Sequence, residues 1–241
     1  MDEASLSPVL GAITDHHAHG TRPVLVGLTG GVAVGKSTTA ESIAVALADL
    51  HGHEVTVVSS DGFLHPNAEL ERRELTLRKG FPESFDEAAL MAFLDSLAAG
   101  RVALAPVHDH HTYDIRDEPI EVQPGDVVII EGVNVLRFHQ HLTVTIYLHA
   151  DEADMKRWFV ERATALRERA RTEYSPFFDP WTSAPDELFA AMLDDAWAFV
   201  NLPNLVEAIE PTRSFADVVI TKAGDHTIES VELRDRSGGA R

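Results

Sequence analysis

"VLVGLTGGVAVGKSTTAESIA", Val24–Ala44, decides the fold of this chain. A short apolar run, Val24 to Thr29, leads straight into glycines and reads as a buried parallel strand. From Lys36 onward the apolar residues take helical spacing: Ile43, Ala44, Leu47 and Leu50 share a face, and Gly52 is placed to cap the helix end. Between strand and helix, Gly30, Gly35, Lys36 and Ser37 satisfy G-x-x-x-x-G-K-[ST]. The candidate phosphate cradle is therefore Gly30, Gly31, Val32, Ala33, Val34, Gly35, Lys36, Ser37 and Thr38. Its glycines let backbone N–H groups curl around phosphate oxygens, and the helix points the positive end of its dipole at the same anion. Lys36 has the reach for the β- and γ-phosphates, and the Ser37 hydroxyl is a ligand for Mg²⁺. With both flanks correct, the motif is a strong sign of nucleotide binding and is silent on what receives the phosphate.

Working outward, "EVTVVSSDG" reads as a second buried strand ending in Asp61. "DEAALMAFLDSLAAG" is an amphipathic helix with Asp86 as N-cap and Gly100 as its stop. "VALAPV" and "EPIEV" are short strands around a polar loop. "DVVIIEG" is a buried strand ending in Glu131, and "LTVTIYLHA" is another. "DEADMKRWFVERATALRERARTE" is a long charged helix with Met155, Phe159 and Leu166 at helical spacing. "PDELFAAMLDDAWAFVN" is a further helix, and "DVVITKAGDHTIESVEL" closes the chain with two strands around a turn. Strands alternating with helices predict an α/β fold, a mostly parallel sheet with helices on both faces. No composition break calls for a second domain within residues 22–234. Residues 1–21 read as a loosely ordered segment with room for one short helix, and residues 235–241 as a disordered tail.

The chain has 241 residues and a formal net charge of −19. That disfavours a broad nucleic-acid surface, which needs a basic footprint. An anionic substrate would need local positive charge supplied against this background. Cysteine is absent, which excludes disulfides and thiolate metal sites. No apolar run approaches the roughly 18–20 residues that span a bilayer, and the first twenty residues do not read as a signal peptide, so no membrane partner and a cytoplasmic location are expected. The histidines of "DHHAHG" and the group His108, His110 and His111 match no defensible metal-ligand spacing and read as solvated segments.

Ligands of open α/β sheets sit outside the carboxyl ends of the strands. Asp61 and Glu131 both fall there. A carboxylate beside a γ-phosphate either accepts the proton of an attacking hydroxyl or holds Mg²⁺. Either residue, taken alone, is also a plausible cap or turn former.

The segments "GGVAVGKSTTA", "SSDGFLHPN", "RKGFPESFD", "APVHDHHTYDI", "IIEGVNVL", "NLPNLVEAIEPTR" and "ITKAGDH" occur in the order seen in bacterial type I pantothenate kinases. The chain resembles that family from about Arg22 to Leu233. "DGFLHPN" and "RKGFPESFD" are its specific parts, because uridine kinases and phosphoribulokinases share the broader fold and differ there. The resemblance implies a P-loop kinase domain, with ATP and Mg²⁺ as cofactors, a small-molecule hydroxyl substrate (pantothenate first) and a homodimer. It implies Asp61 as the base, with Lys36 and Arg162 as the other catalytic residues, Arg162 meeting the transferring phosphoryl group. It implies Ser37 and Glu131 at Mg²⁺. Lys222 and His226 would lie near the adenine, and His108, His110, Tyr113, Phe159 and Asn201 at the acceptor. Read by itself, Arg162 on its charged helix would equally suit an ion pair one turn away.

Two positions usually tyrosine in the family's acceptor pocket read His108 and Phe159, which puts the acceptor in question. Glu41 stands where the family usually has an arginine linked to feedback inhibition by coenzyme A, so weak or absent inhibition is expected. A kinase of another hydroxylated metabolite (a nucleoside, a sugar acid or a natural-product intermediate) and a nucleotide-binding regulator without catalysis remain as alternatives.

Overall fold

The computed structural model describes residues 3–109 and 112–234. His110, His111 and the C-terminal tail lie outside the described residues. In chain order the elements are α1 (Glu3–Ala18), β1 (Val24–Gly30), α2 (Lys36–His51), β2 (Val55–Ser59), α3 (Asn67–Arg72), α4 (Glu87–Ala98), β3 (Ala103–Ala105), β4 (His108–Asp109), β5 (Asp114–Ile115), β6 (Ile120–Val122), β7 (Val127–Glu131), β8 (Val144–His149), α5 (Glu152–Ala170), α6 (Asp186–Ala196), α7 (Leu202–Asn204), β9 (Val218–Lys222) and β10 (Ile228–Leu233).

Six strands form one sheet in the order β10-β9-β8-β1-β7-β2. All neighbours pair in parallel except β9 and β10, the predicted closing hairpin. The central strands β1 and β7 are buried along their whole length, as continuous apolar runs predict for a parallel sheet covered on both faces. β2, expected to be buried, is mostly half-buried, because it is the edge strand and has a neighbour on one side only. The two short strands expected around a polar loop pair as β3 with β6.

Helix ends follow their local chemistry. The Asp86 side chain accepts the Ala89 N–H at 2.9 Å at the start of α4. Gly52 ends α2 in the left-handed conformation. On α2, Ile43 and Leu47 are fully buried, but Leu50 is 55% exposed, since its last turn runs past the edge of the layer it covers.

The N-terminal segment departs from expectation. It is a 16-residue helix packed against β1, α2 and β10, not a loose segment. Leu6, Val9, Leu10 and Ile13 recur at helical spacing and are buried in the main core. Burying each contributes about 1.5–3 kcal/mol. Pro8 lies inside this helix and argues against it locally, at a cost of about 3 kcal/mol. Four aliphatic side chains outweigh one proline.

Beyond α5, the buried Arg167 guanidinium gathers the connection to α6. It donates to the carbonyls of Trp181 (2.8 Å) and Ala184 (2.6 Å) and to Asp186 Oδ1 (2.9 Å), and it lies over the Phe189 ring.

Candidate active site

The site lies at the carboxyl ends of β1, β7, β2 and β9, where an open parallel sheet exposes its loops. A cavity of about 1120 Å³ opens there, lined by the loop residues Val32, Ala33, Gly35, Lys36, Ser37 and Thr38. Asp61, Glu131, Arg162, Lys222 and His226 line the same cavity. Ala33 (φ 61°) and Gly35 (φ 86°) are left-handed, which turns successive backbone N–H groups toward one side and forms an anion-binding concavity at the start of α2. The Lys36 ammonium donates to the carbonyls of Gly31 (2.9 Å) and Gly30 (3.2 Å) and so lies along the loop.

The two carboxylates are brought together by close packing of the strand ends. Each is followed by a glycine with no room for a side chain. A Cβ on Gly62 would stand 1.9 Å from the Pro106 carbonyl oxygen, and one on Gly132 would stand 1.8 Å from Ser60 Oγ. The Thr29 hydroxyl ties the end of β1 to the residues after β7, donating to the carbonyls of Gly132 and Val133, both at 2.7 Å. Ser37 Oγ lies 3.1 Å from Glu131 Oε1, so a hydroxyl and a carboxylate already face each other as a pair of hard oxygen donors. Such a pair fits Mg²⁺, which takes one or two protein oxygens beside phosphate and water.

Burial pushes the Glu131 carboxyl above its ordinary range, and Asp61 adds to the push, while Lys36 opposes it. Burial likewise holds the Lys36 ammonium below its ordinary range, against the pull of Glu131 and Asp61. Lys222 is pushed down to about 8, first by burial and then by Lys36. Three cations thus stand in one cavity of a chain whose net charge is −19.

Arg162 differs from its neighbours on α5. Arg157 pairs with Asp154 and Glu161, Arg167 with Asp186 and Arg169 with Glu173, and past the helix end Arg171 pairs with Glu168. Arg162 makes no ion pair among the described residues and lines the cavity, where Lys36 and Tyr113 both feel its charge.

The residues expected at the base are split. His226 lines the cavity and stacks on Trp158, ring centroids 3.8 Å apart. Lys222 sits further in, at the phosphate loop. Its Nζ is 2.9 Å from where a Cβ on Gly35 would be, because β9 ends level with the loop and its last side chain turns inward.

Of the residues expected at the acceptor, His108 meets Tyr113 edge-on, and Tyr113 stacks on Phe177 at 4.7 Å. Phe159 packs into the core near Trp197 rather than on the cavity wall. Asn201 is half-buried in a wide helical turn, also off the wall. His110 lies outside the described residues.

Three residues here had gone unremarked. Lys79 donates to the Tyr113 carbonyl (2.6 Å) and Asn67 Oδ1 (2.8 Å), and its charge feels Asp61. Asn134 and Asn204 both donate to the Gly80 carbonyl, at 2.8 and 2.9 Å, fixing the loop that carries Lys79. All three lie inside segments already quoted, "RKGFPESFD", "IIEGVNVL" and "NLPNLVEAIEPTR". Only the folded chain shows which polar side chains of those segments point inward.

A strand–loop–helix phosphate cradle with acidic strand ends facing it is the layout of the P-loop kinases. Residues 25–173 match the model of the phosphoribulokinase / uridine kinase family. The pantothenate kinase of Sorangium cellulosum is 43% identical over 227 residues, covering 89% of this chain and 74% of that one. That of Corynebacterium efficiens is 40% identical, covering 88% and 67%. The chain belongs to the phosphoribulokinase / uridine kinase family and is kin to these pantothenate kinases. Among solved structures, D-glycerate 3-kinase from Cryptococcus neoformans superposes with a TM-score of 0.70 over 95% of this chain and 99% of that one. At 14% identity it speaks for the fold alone. No helix among the described residues is long and apolar enough to cross a membrane.

Proposed function

We propose that this chain transfers the γ-phosphoryl group of ATP to the primary hydroxyl of pantothenate, the first step toward coenzyme A. The observation that carries the reading is that the loop cations, Asp61 and Arg162 open onto one cavity. The curated relatives, named as pantothenate kinases, support the acceptor.

MgATP would supply the phosphoryl group, and Mg²⁺ when bound would neutralise phosphate charge. Ser37 and Glu131 would hold Mg²⁺. The loop N–H groups and Lys36 bind and orient the phosphates, and Lys222, beside Gly35, adds a second ammonium at the same end. Asp61 accepts the proton of the attacking hydroxyl, and Arg162 meets charge on the equatorial oxygens. His226, stacked on Trp158, offers a flat surface for the base. His108, His110 and Tyr113 are carried as acceptor-side residues, with Lys79, whose charge feels Asp61, added to them; Phe159 and Asn201, expected there from the resemblance, stand off the cavity wall and would act only through their neighbours. The resemblance supports a homodimer, and the cytoplasmic location rests on the sequence expectation alone.

The test is a coupled assay of ATP consumption with pantothenate, uridine, glycerate and simple polyols. Pantothenate is expected to give a kcat/KM at least about 10²-fold above the others, the discrimination a site built to hydrogen-bond its acceptor supplies. Turnover with one of the others and none with pantothenate would reassign the acceptor. No turnover with any would leave the chain a nucleotide-binding regulator.

Lys222 gives this site a pH dependence. Its folded pKa of about 8 lies below the ordinary 10.5, so the free protein sheds this proton above about pH 8 while the unfolded chain keeps it. Between these two values Lys222 adds to stability as pH rises, and below about 8 it is buried with its charge at a cost. Phosphate oxygens favour the charged form. ATP affinity is therefore expected to fall as pH rises through about 8, and ATP binding above that pH to take up a proton. Calorimetry in buffers of different ionisation enthalpy reads that uptake. Lys222→Met should abolish it, and an unchanged uptake in that variant would assign the proton to another group.

A further inference from the structure

At the opposite, amino-terminal ends of the strands, three side chains from distant parts of the chain meet. His17 ends α1, His53 precedes β2 and Asp126 precedes β7. His17 Nε2 is 3.1 Å from Asp126 Oδ1, and His53 Nδ1 is 3.9 Å from Asp126 Oδ2. One ligand atom from each of the three lies within 4.8 Å of the other two. The side chains are 13%, 10% and 25% exposed, in the order His17, His53, Asp126. We propose that this trio binds a divalent transition-metal ion of the zinc class, at a site separate from the kinase centre.

Two imidazoles and a carboxylate form a borderline donor set that suits Zn²⁺, with water completing a tetrahedron. Ligand atoms about 2.0–2.2 Å from such an ion stand roughly 3.2–3.5 Å apart. The observed 3.1 and 3.9 Å need only small side-chain rotations to reach that spacing. The carboxylate is already oriented: Asp126 Oδ2 accepts the Glu54 N–H at 3.0 Å, the kind of outer hydrogen bond that fixes a metal ligand.

A hydrogen bond from His17 to Asp126 would by itself suffice to pin α1 to the sheet. It does not account for the second imidazole. The His53 ring lies against His17 with centroids 4.2 Å apart and shares the same carboxylate. The nearest cation, Arg22, is 3.5 Å from Asp126 Oδ1 but has a side chain 61% exposed, so it can move into solvent when an ion enters. His51, stacked beyond His53 at 5.9 Å, is also exposed and leaves the water position open. An ion here ties α1 to the starts of β2 and β7 at once, linking residues 17, 53 and 126.

The experiment strips the full chain with a chelator and then titrates Zn²⁺ against a chromophoric competitor. One equivalent per chain is expected, with a dissociation constant of about 10 µM or tighter. His53→Ala should weaken that binding at least about tenfold, since it removes one of three protein ligands while the other histidines of α1 remain. Kinase activity, which reads the far end of the sheet, shows that this variant is folded. Should it not fold, His17→Gln and the visible spectrum of Co²⁺ bound to the unaltered chain decide instead. Tetrahedral Co²⁺ bands that vanish on adding Zn²⁺ support the site. Less than one equivalent, zinc binding unchanged in His53→Ala or His17→Gln, or octahedral Co²⁺ bands alone, would overturn it.

Discussion

Asp61→Asn is expected to lower kcat by about 10²–10⁴-fold, the usual contribution of a positioned general base. The amide is nearly the same size and cannot accept the hydroxyl proton. The substitution should leave the fold and ATP binding intact, because the carboxylate makes no hydrogen bond or ion pair among the described residues; the local backbone is held instead by the Asp61 N–H to Ser59 Oγ at 3.4 Å. Steady-state kinetics with saturating pantothenate, together with nucleotide binding measured separately, check this. A variant that turns over like the parent would remove Asp61 from the base role. One that loses ATP affinity in proportion to its rate would move Asp61 to the metal instead.

Arg162→Ala should cost about 10²-fold or more in kcat with nucleotide binding little changed, since a cation that meets equatorial charge acts mainly in the transition state. A 10²-fold loss corresponds to about 2.7 kcal/mol. The free standing of Arg162 sharpens this expectation. Nearby arginines on α5 are spent on carboxylates, whereas Arg162 has none to lose among the described residues, so its removal strands no partner there. Thermal stability should therefore hold while the rate falls. A normal kcat with normal ATP affinity would mean that the charge felt at Lys36 and Tyr113 has no part in phosphoryl transfer.

The parts of the fold legible in the sequence are those set by local rules. The strand–loop–helix of Val24–His51 carries its own signal, because apolar run, glycines and helical spacing follow one another without a break. Glu131 was readable too, since a buried strand must end at the sheet's carboxyl edge. Asp61 was placed correctly at that edge, though β2 itself stops at Ser59 and a short 3-10 turn carries the carboxylate. The α1 helix was not legible, because Pro8 speaks against it locally and the sheet face that rewards its burial is assembled from β1, α2 and β10. The resemblance of "ITKAGDH" sets Lys222 near the base together with His226. The end of β9 sends one side chain to the loop and the following turn carries the other to Trp158.

By itself the sequence determined a strand–glycine loop–helix of the phosphate-binding pattern with a carboxylate at each of two strand ends. Loop chemistry and strand burial are written in neighbouring residues and need no partner from elsewhere. Tertiary structure alone decided which charges are spent and which are available. It left Arg162 unpaired among the described residues, set Lys222 beside Gly35, and brought His17, His53 and Asp126 together at the other end of the sheet. Those outcomes depend on strand order, and the order β8-β1-β7-β2 is fixed by the packing of helices on both faces, which no single stretch of sequence contains.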